Sequence, residues 1–392
     1  MLPTFKKAFR ETDKLFFALC IALSVFGIVM VASASHRTVE SGALLSRDAI
    51  VMIGALVLGS VLALVISFID YDLIYKLWPV IALGSVFLML LLFTPLGVAP
   101  DARSDARSWL KIFGLGGYNL YLQPSEILKI GFIITFSYHL SKMRRDLSGF
   151  LNILLLCIHA AIPIGLVIVT GDMGSALIFA MMFLGMMFVS GVHWLYFPAG
   201  LLAVGAAAPI VWYRVFDNIQ RNRILALFHP DDYPTEMYQQ RQALSAMKNG
   251  GFFGTGYMQG DFTQSGSVPE SQNDMIFSAV GEEFGFLGAF LLLALFVLLA
   301  IRIVRIGKRS NNFAACMLCY GVMFMIMSQV IVNIGMCLSL LPVIGITLPF
   351  ISAGGSSVIC LYLAVGLVLS VHRSSQGLHY ENYRYAHIAT EA

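Results

Sequence analysis

Long apolar runs are the feature that most constrains this chain. The segments from Ile50 to Ile69 and from Trp194 to Trp212 contain no charged residue, and each has roughly the 20 residues that a helix needs to cross the hydrocarbon core of a bilayer. Only 12% of the 392 residues are charged and 58% are hydrophobic, which leaves too little polar surface to cover a soluble globule. The sequence therefore predicts a bundle of membrane-spanning helices.

About ten such spans are predicted, and together they make an all-α, polytopic membrane helix bundle that forms one integral membrane domain. The predicted spans are Leu15 to Ala34, Ile50 to Ile69, Leu73 to Leu96, Pro124 to Leu140, Phe150 to Thr170, Met173 to Val192, Trp194 to Trp212, Met275 to Ala300, Phe313 to Asn333 and Ile351 to His372. Short loops rich in Lys and Arg remain on the cytoplasmic side. Two loops of this kind contain Lys142, Arg144 and Arg145, and Arg302, Arg305, Lys308 and Arg309. This charge distribution predicts that both termini are cytoplasmic.

The longest predicted loop, 214–274, joins spans seven and eight and is then extracytoplasmic. Within it, we expect Thr235 to cap a helix that begins near Glu236 and stops at Gly250 and Gly251. The glycine-rich stretch that follows is expected to lack regular structure and to approach a ligand closely.

A few ionisable residues lie in or beside the predicted spans, where charge is costly and usually faces a cavity or a partner. Glu126 and Lys129 are three residues apart, so they share a helix face and can form either a structural ion pair or part of a site. Asp172 stands between two spans, and Asp274 ends the long loop. Each aspartate could cap the next helix or line a cavity.

The segment 334–355 contains two prolines and ends in Gly-Gly, so we predict a broken or re-entrant segment that lines a site. His139 and His159 have no metal-ligand spacing and are interpreted as core histidines. The six cysteines lie in apolar segments and predict no disulfide framework. A net charge of +3 is too small and too dispersed to indicate nucleic-acid binding.

Several motifs together resemble the SEDS family of bacterial cell-wall proteins over nearly the whole chain. The motifs are Ala106-Arg107-Ser108-Trp109, Gln123-Pro124-Ser125-Glu126, Gly171-Asp172-Met173-Gly174, Val268-Pro269-Glu270-Ser271-Gln272-Asn273-Asp274, Gly281-Glu282-Glu283, and Leu348-Pro349-Phe350-Ile351-Ser352-Ala353-Gly354-Gly355-Ser356-Ser357. Three positions depart from the usual family pattern: Asp48 replaces glutamine, Gly171 replaces proline and Ala353 replaces tyrosine.

The resemblance implies a multi-pass protein of the bacterial cytoplasmic membrane that polymerises the disaccharides of lipid II into glycan strands and releases polyprenyl diphosphate. It further implies a class B penicillin-binding protein as the transpeptidase partner. Asp274 matches the position taken as catalytic, and a carboxylate there could act as general base toward the attacking sugar hydroxyl.

Ten further residues are expected to contact substrate on the basis of the same resemblance. They are Arg47, Arg107, Glu126, Lys129, Asp172, Glu270, Ser352, Gly354, Gly355 and Ser356. The diphosphate requires positive charge, from basic side chains or from a divalent cation such as Mg²⁺ or Mn²⁺. The basic candidates on the predicted outer side are Arg47, Arg107, Lys111, Lys129, Arg221, Arg223, Arg241 and Lys248.

Other functions are compatible with the same features. A lipid II flippase or another transporter also has broken helices and intramembrane charges, and a structural scaffold would tolerate loss of Asp274. Within the family, the segment from Gln259 to Gln264 favours the elongation-type RodA branch over the division-type FtsW branch, with sporulation-type paralogues as a further alternative.

Overall fold

The computed structural model describes residues 12–39, 44–99, 107–115, 118–310 and 312–391. Its helices, in chain order, are α1 (Lys14–Ala34), α2 (Arg47–Ser67), α3 (Tyr71–Lys76), α4 (Trp78–Leu90), α5 (Pro124–Lys142), α6 (Phe150–Val169), α7 (Met173–Ser190), α8 (Tyr196–Ile210), α9 (Asn218–Phe228), α10 (Pro234–Gly250), α11 (Asp261–Ser265), α12 (Ile276–Glu283), α13 (Gly285–Arg309), α14 (Phe313–Cys337) and α15 (Gly355–Glu391). The predicted polytopic helical fold is confirmed.

Eight helical segments in the described part of the chain are long and apolar enough to cross a membrane. They correspond to eight of the ten predicted spans. The third predicted span consists of α3 and α4, which meet at Leu77, and Pro79 lies in the first turn of α4. A proline is tolerated at this point because the first N–H groups of a helix have no intrahelical acceptor. The fourth predicted span is α5, which carries Glu126 and Lys129.

Helices α14 and α15 form the centre of the bundle, since most of their apolar length is buried. Helix α15 packs along α2, while α14 packs against α5, α7 and α13. By contrast, α8 contains no buried residue. The membrane-facing surface of the chain thus includes most of α8, of which Tyr196 and Phe197 pack against the core, whereas α14 and α15 supply the core.

His139 in α5 and His159 in α6 contact each other inside the bundle. Their Nδ1 atoms are 3.0 Å apart, and His159 Nε2 is 3.0 Å from the Thr135 hydroxyl oxygen. These contacts agree with the interpretation of both residues as core histidines. The sequence spacing did not reveal that they pair.

A small antiparallel sheet, which the sequence did not predict, lies between α4 and α5. Its strands β1 (Gly97–Val98), β2 (Trp109–Leu115) and β3 (Tyr118–Leu122) pair in the order β1-β2-β3. Val98 lies opposite Trp109, and Leu110 lies opposite Leu122. The sheet fixes the position of Trp109 relative to the start of α5.

The long loop 214–274 contains α9, α10 and α11. The predicted cap at Thr235 is wrong, because α10 begins at Pro234 with Tyr233 as the N-cap residue and has no side-chain cap bond. Proline is preferred at the first helical position, where its fixed φ suits the helix. The predicted stop is confirmed, since α10 ends at Gly250 and Gly251 has a φ of +56°.

The predicted eighth span is interrupted, because α12 ends at Glu283 and α13 begins at Gly285, which has a φ of +67°. Backbone groups of the long loop form hydrogen bonds with the backbone groups that the break leaves without helical partners. The Thr255 N–H donates to the Glu282 carbonyl at 2.9 Å, and the Phe286 N–H donates to the Gly251 carbonyl at 2.9 Å. The loop is therefore bonded directly to the bundle at this point.

Two glycines make that close approach possible. A Cβ on Gly254 would lie 2.2 Å from the Glu283 carbonyl oxygen, and a Cβ on Gly285 would lie 2.3 Å from the Gly254 nitrogen. Both residues also have positive φ angles. At Gly254, which belongs to the glycine-rich stretch, the close approach is to protein backbone.

We predict that Gly285→Ala lowers the free energy of unfolding by about 2 kcal/mol or more, because the new Cβ meets backbone and the φ is unfavourable for alanine. The apparent Tm of the purified protein in detergent measures the effect. The matched control is Gly54→Ala in α2, where a Cβ meets nothing within 4 Å, and its Tm should equal or exceed that of the wild type. Equal Tm values for the two variants would contradict the packing described for the break.

Candidate active site

A cavity of about 380 Å³ opens at one end of the bundle. Its wall includes the first turn of α2, the turn before α7, the residues around the start of α15, and parts of β2, α9 and α10. The residues that line it are Asp48, Val51, Ser108, Trp109, Gln123, Asp172, Arg223, Gln239, Glu270, Asn273, Asp274, Val343, Gly345, Thr347, Ala353, Gly354, Gly355 and Ser357. Segments far apart in sequence thus meet around one polar cavity.

Asp274 lies in the cavity wall on a turn, half-buried, immediately before α12. The N-cap residue of α12 is Met275, whose side chain makes no capping hydrogen bond. Asp274 thus directly precedes the N-cap position and lines the cavity.

Backbone geometry shapes the turn that carries Asp274. Glu270 has a φ of +55°, which is uncommon for a residue with a side chain, and its carbonyl accepts from the N–H groups of Asn273 at 3.0 Å and Met275 at 3.2 Å. The Asn273 side chain donates to the Glu270 carboxylate at 2.6 Å. Unusual backbone geometry of this kind concentrates at functional sites.

Asp172 serves as a helix cap and as part of the cavity wall. Its Oδ1 accepts from the Ser175 N–H at 3.0 Å, and its Oδ2 accepts from the Ser175 hydroxyl at 2.7 Å and from the Gln123 side chain at 3.2 Å. Both interpretations of Asp172 are compatible with this geometry. Gln123 links the carboxylate to the start of α5.

Glu126 and Lys129 form the ion pair that their spacing predicts. The Lys129 Nζ is 2.7 Å from Glu126 Oε1, and the two side chains are 1% and 12% exposed. Neither residue lines the cavity. In this structure the pair is a buried contact within α5, next to the cavity rather than in its wall.

Of the eleven predicted site residues, the structure brings five together in the wall: Asp172, Glu270, Asp274, Gly354 and Gly355. Six others are described but do not line the cavity: Arg47, Arg107, Glu126, Lys129, Ser352 and Ser356. Arg47 and Arg107 are sequence neighbours of Asp48 and Ser108, which do line it. Ser352 has a different position, since it is buried and its hydroxyl donates to the Asn273 carbonyl at 2.7 Å.

Several lining residues were not predicted as site residues, notably Asp48, Trp109, Gln123, Gln239 and Thr347. Trp109 and Gln123 belong to two of the family motifs named above. Arg107 and Glu126 of the same motifs were predicted as site residues, so the motifs could also have indicated Trp109 and Gln123. Arg223 was one of eight basic candidates, and among the described residues it is the one that lines the cavity. Gln239 carried no sequence signal.

The described wall of the cavity is acidic. Four of its lining residues are acidic, namely Asp48, Asp172, Glu270 and Asp274, and one is basic, Arg223. Carboxylates accept hydrogen bonds and cannot donate them when ionised. Such a wall suits ligands rich in hydroxyl or amide N–H groups, and it leaves Arg223 as the local partner for an anion.

The carboxylates do not form a metal site made from protein ligands alone. Among the described residues, no three His, Cys, Asp or Glu side chains converge closely enough to hold a metal ion. Magnesium is usually bound through one or two carboxylates together with water and substrate phosphates. A divalent cation bound together with the diphosphate therefore stays a prediction.

Residues 13–377 match the family described as "Cell cycle protein", whose model is named for FtsW, RodA and SpoVE. The chain is 32% identical over 379 residues to the probable peptidoglycan glycosyltransferase FtsW of Geobacter sp. (strain M18), covering 93% of this chain and 98% of that protein. It is 30% identical over 378 residues to the peptidoglycan glycosyltransferase MrdB of Escherichia coli (strain K12), covering 94% and 96% of the two chains.

Solved structures are similar over the same length. One is a chain from a study of the structural coordination of polymerization and crosslinking by a peptidoglycan synthase complex, with a TM-score of 0.76, 27% identity and coverage of 93% of this chain and 98% of that chain. The crystal structure of the rod shape determining protein RodA of Thermus thermophilus matches with a TM-score of 0.66 and 26% identity, covering 92% and 97%.

We predict that Glu126→Ala strongly destabilises the protein, by roughly 3–5 kcal/mol, because it leaves the buried Lys129 ammonium without its carboxylate. The apparent Tm in detergent tests this. The double variant Glu126→Ala/Lys129→Leu removes both charges and should recover most of the loss. A single variant with wild-type Tm that loses only activity would show that the pair serves the reaction rather than the fold.

Proposed function

The chain belongs to the family of FtsW, RodA and SpoVE, and from this premise we propose that it is a peptidoglycan glycosyltransferase that joins lipid II disaccharides into glycan strands. The observation that carries the proposal is the position of Asp274, on a shaped turn in the wall of a polar cavity. The reaction releases polyprenyl diphosphate.

The chemistry requires one base. The 4-hydroxyl of a GlcNAc residue attacks the anomeric carbon of the other substrate, so the bond from that carbon to the diphosphate oxygen breaks while a glycosidic bond forms with inversion. Asp274 takes the hydroxyl proton as general base. Because diphosphate is a good leaving group, no second carboxylic acid is needed to protonate it, in contrast to a glycosidase.

Arg223 is the proposed partner of the diphosphate. It lies in the cavity wall on α9, where a guanidinium can form two charge-assisted hydrogen bonds to phosphate oxygens. Gly354 and Gly355, at the start of α15, line the same cavity. The first N–H groups of a helix favour an anion, so this helix end provides a second favourable position for the diphosphate.

The acidic part of the wall is proposed to hold the sugars. Asp48, Asp172 and Glu270 provide acceptors for sugar hydroxyl and acetamido N–H groups. Trp109 adds an aromatic surface to the same wall, as is common in pockets for organic ligands.

We place the cavity at the outer face of the bacterial cytoplasmic membrane, with both termini in the cytoplasm. The distribution of basic residues in the short loops supports this orientation. The sugars then meet at the aqueous surface while the polyprenyl chains stay in the lipid. A class B penicillin-binding protein is the proposed partner, and the similar chain in a peptidoglycan synthase complex supports this assignment.

We further propose a role in elongation and cell shape. The segment from Gln259 to Gln264 supports the RodA type, whereas identities of 32% to an FtsW and 30% to MrdB do not discriminate between the branches. A tagged copy at the lateral wall would support elongation. Concentration at the division septum would support the FtsW type instead.

A transporter is the competing function. It needs access from both membrane faces, whereas the cavity described here gathers loop segments at one end of the bundle. Labelled lipid II supplied only at the outer face of proteoliposomes separates the two functions. A polymerase still builds labelled strands from it, while a flippase moves the label inward and makes no polymer.

We predict that Asp274→Asn lowers the rate of polymerisation of purified protein by about 100-fold or more, because the amide cannot accept the hydroxyl proton. Strand formation from labelled lipid II is the measurement. The control is Asp232→Asn, which changes an exposed carboxylate of the same loop and should retain full activity. Normal strand synthesis by Asp274→Asn protein would eliminate Asp274 as the base.

We predict that Arg223→Gln lowers kcat/KM for lipid II by about tenfold to 100-fold, because charge-assisted hydrogen bonds to the diphosphate are lost. Arg241→Gln is the matched control. Arg241 is exposed, its guanidinium lies 2.8 Å from the Asp231 carboxylate, and neither residue lines the cavity. The assignment fails if both variants behave alike.

A further inference from the structure

The turn that carries Asp274 is held by a side chain from the core helix α14. Asn333 is fully buried, and its Nδ2 donates to the Asp274 carbonyl at 2.9 Å and to the Ile346 carbonyl at 2.7 Å. An asparagine amide has two N–H groups, so both are used. One side chain thus connects two stretches of backbone that lie outside helices.

The other half of the same amide has no hydrogen-bond partner in the described part of the chain, since Asn333 Oδ1 is buried and unpaired. Turning the amide around would not help, because Oδ1 would then face two carbonyl oxygens that can only accept. A buried carbonyl without a partner destabilises a fold. The presence of asparagine here is best explained by the two bonds that its nitrogen donates.

Those two bonds connect two neighbouring stretches of the cavity wall. Asp274 lines the cavity, and so do Gly345 and Thr347, which stand on either side of Ile346. Ser352 and Ala353 hold the residues just before Asp274, since the Ser352 hydroxyl donates to the Asn273 carbonyl and the Ala353 N–H donates to the Gln272 carbonyl. Asn333 acts on the backbone of Asp274 itself.

We propose that Asn333 is a positioning residue that holds the backbone of Asp274, and with it the Asp274 carboxylate, relative to the adjacent wall segment 345–347. The inference rests on the proposed function and extends it to a residue outside the cavity wall. Displacement of a reacting group by about 1 Å can cost two orders of magnitude in rate. Loss of the two bonds should therefore lower kcat while leaving substrate affinity nearly unchanged.

The test compares Asn333→Leu with Ser328→Ala in purified full-length protein. Leucine has a similar size and removes both donors together with the unpaired oxygen. Ser328 is also buried in α14, but its hydroxyl donates to the Phe324 carbonyl of the same helix at 2.6 Å. Strand synthesis gives kcat and KM for lipid II, hydrogen exchange reports on the turn and on α14, and a thermal scan gives the apparent Tm.

We expect Asn333→Leu to lower kcat by about tenfold to 100-fold, with KM close to wild type. Tm should fall somewhat, because the Asp274 and Ile346 carbonyls lose a donor. Hydrogen exchange should accelerate around Met275, whose N–H bonds to Glu270 within the turn, while α14 stays protected. Ser328→Ala should match the wild type in all four measurements.

Two results would overturn the inference: unchanged kcat and turn exchange in Asn333→Leu, or a fall in Tm together with faster exchange throughout α14, which indicates a general structural role. A wild-type protein that makes no strands would refute the proposed function instead. The exchange data would then decide separately whether Asn333 holds the turn.

Discussion

Backbone that leaves helical geometry inside a membrane bundle must find hydrogen-bond partners within the protein, and this requirement governs the cavity end of the chain. Residues 338–354 form no helix or strand. Three side chains hold this segment. Gln240 donates to the Met336 and Leu341 carbonyls, Asn333 donates to the Ile346 carbonyl, and the Ser352 hydroxyl accepts from the Leu348 N–H. Because these side chains come from α10, α14 and the segment itself, satisfying its backbone also fixes the loop, the core helix and the cavity wall relative to one another.

Charged groups are arranged differently inside and outside the cavity wall. Outside the wall, Lys129 pairs with Glu126, and Arg302 pairs with the buried Asp13, which also caps α1. In the cavity wall, carboxylates outnumber the guanidinium of Arg223. Ionisable side chains in a membrane protein usually face a cavity or a partner, and we interpret the acidic wall as a surface for binding a polar ligand.

The sequence predicted those features that depend on local pattern. The apolar runs predicted the membrane spans, and the three-residue spacing predicted the Glu126–Lys129 pair. The family motifs predicted that Asp172 and Asp274 lie near a site. Features set by contacts distant in sequence were not predictable. The break at Gly285 depends on loop backbone from Gly251 to Gly256, and the choice of Arg223 among eight basic candidates depends on how α9 packs. Thr235 is a favourable N-cap residue by type, but the helix begins one residue earlier because Pro234 is favourable at the first helical position.

The glycines of the long loop illustrate a limit of sequence patterns. A glycine needed for close approach to a ligand and one needed for close approach to another backbone are identical in sequence. Here Gly250 and Gly254 lie against the backbone of 281–284, and a Cβ on Gly260 would meet the Glu282 carboxylate. That carboxylate in turn accepts from the N–H groups of Phe262 and Thr263 at the start of α11. The loop is consequently a docked part of the bundle. Its contribution to the cavity is made by Arg223 and Gln239 from α9 and α10 and by Glu270, Asn273 and Asp274 near its end, rather than by its glycine-rich stretch.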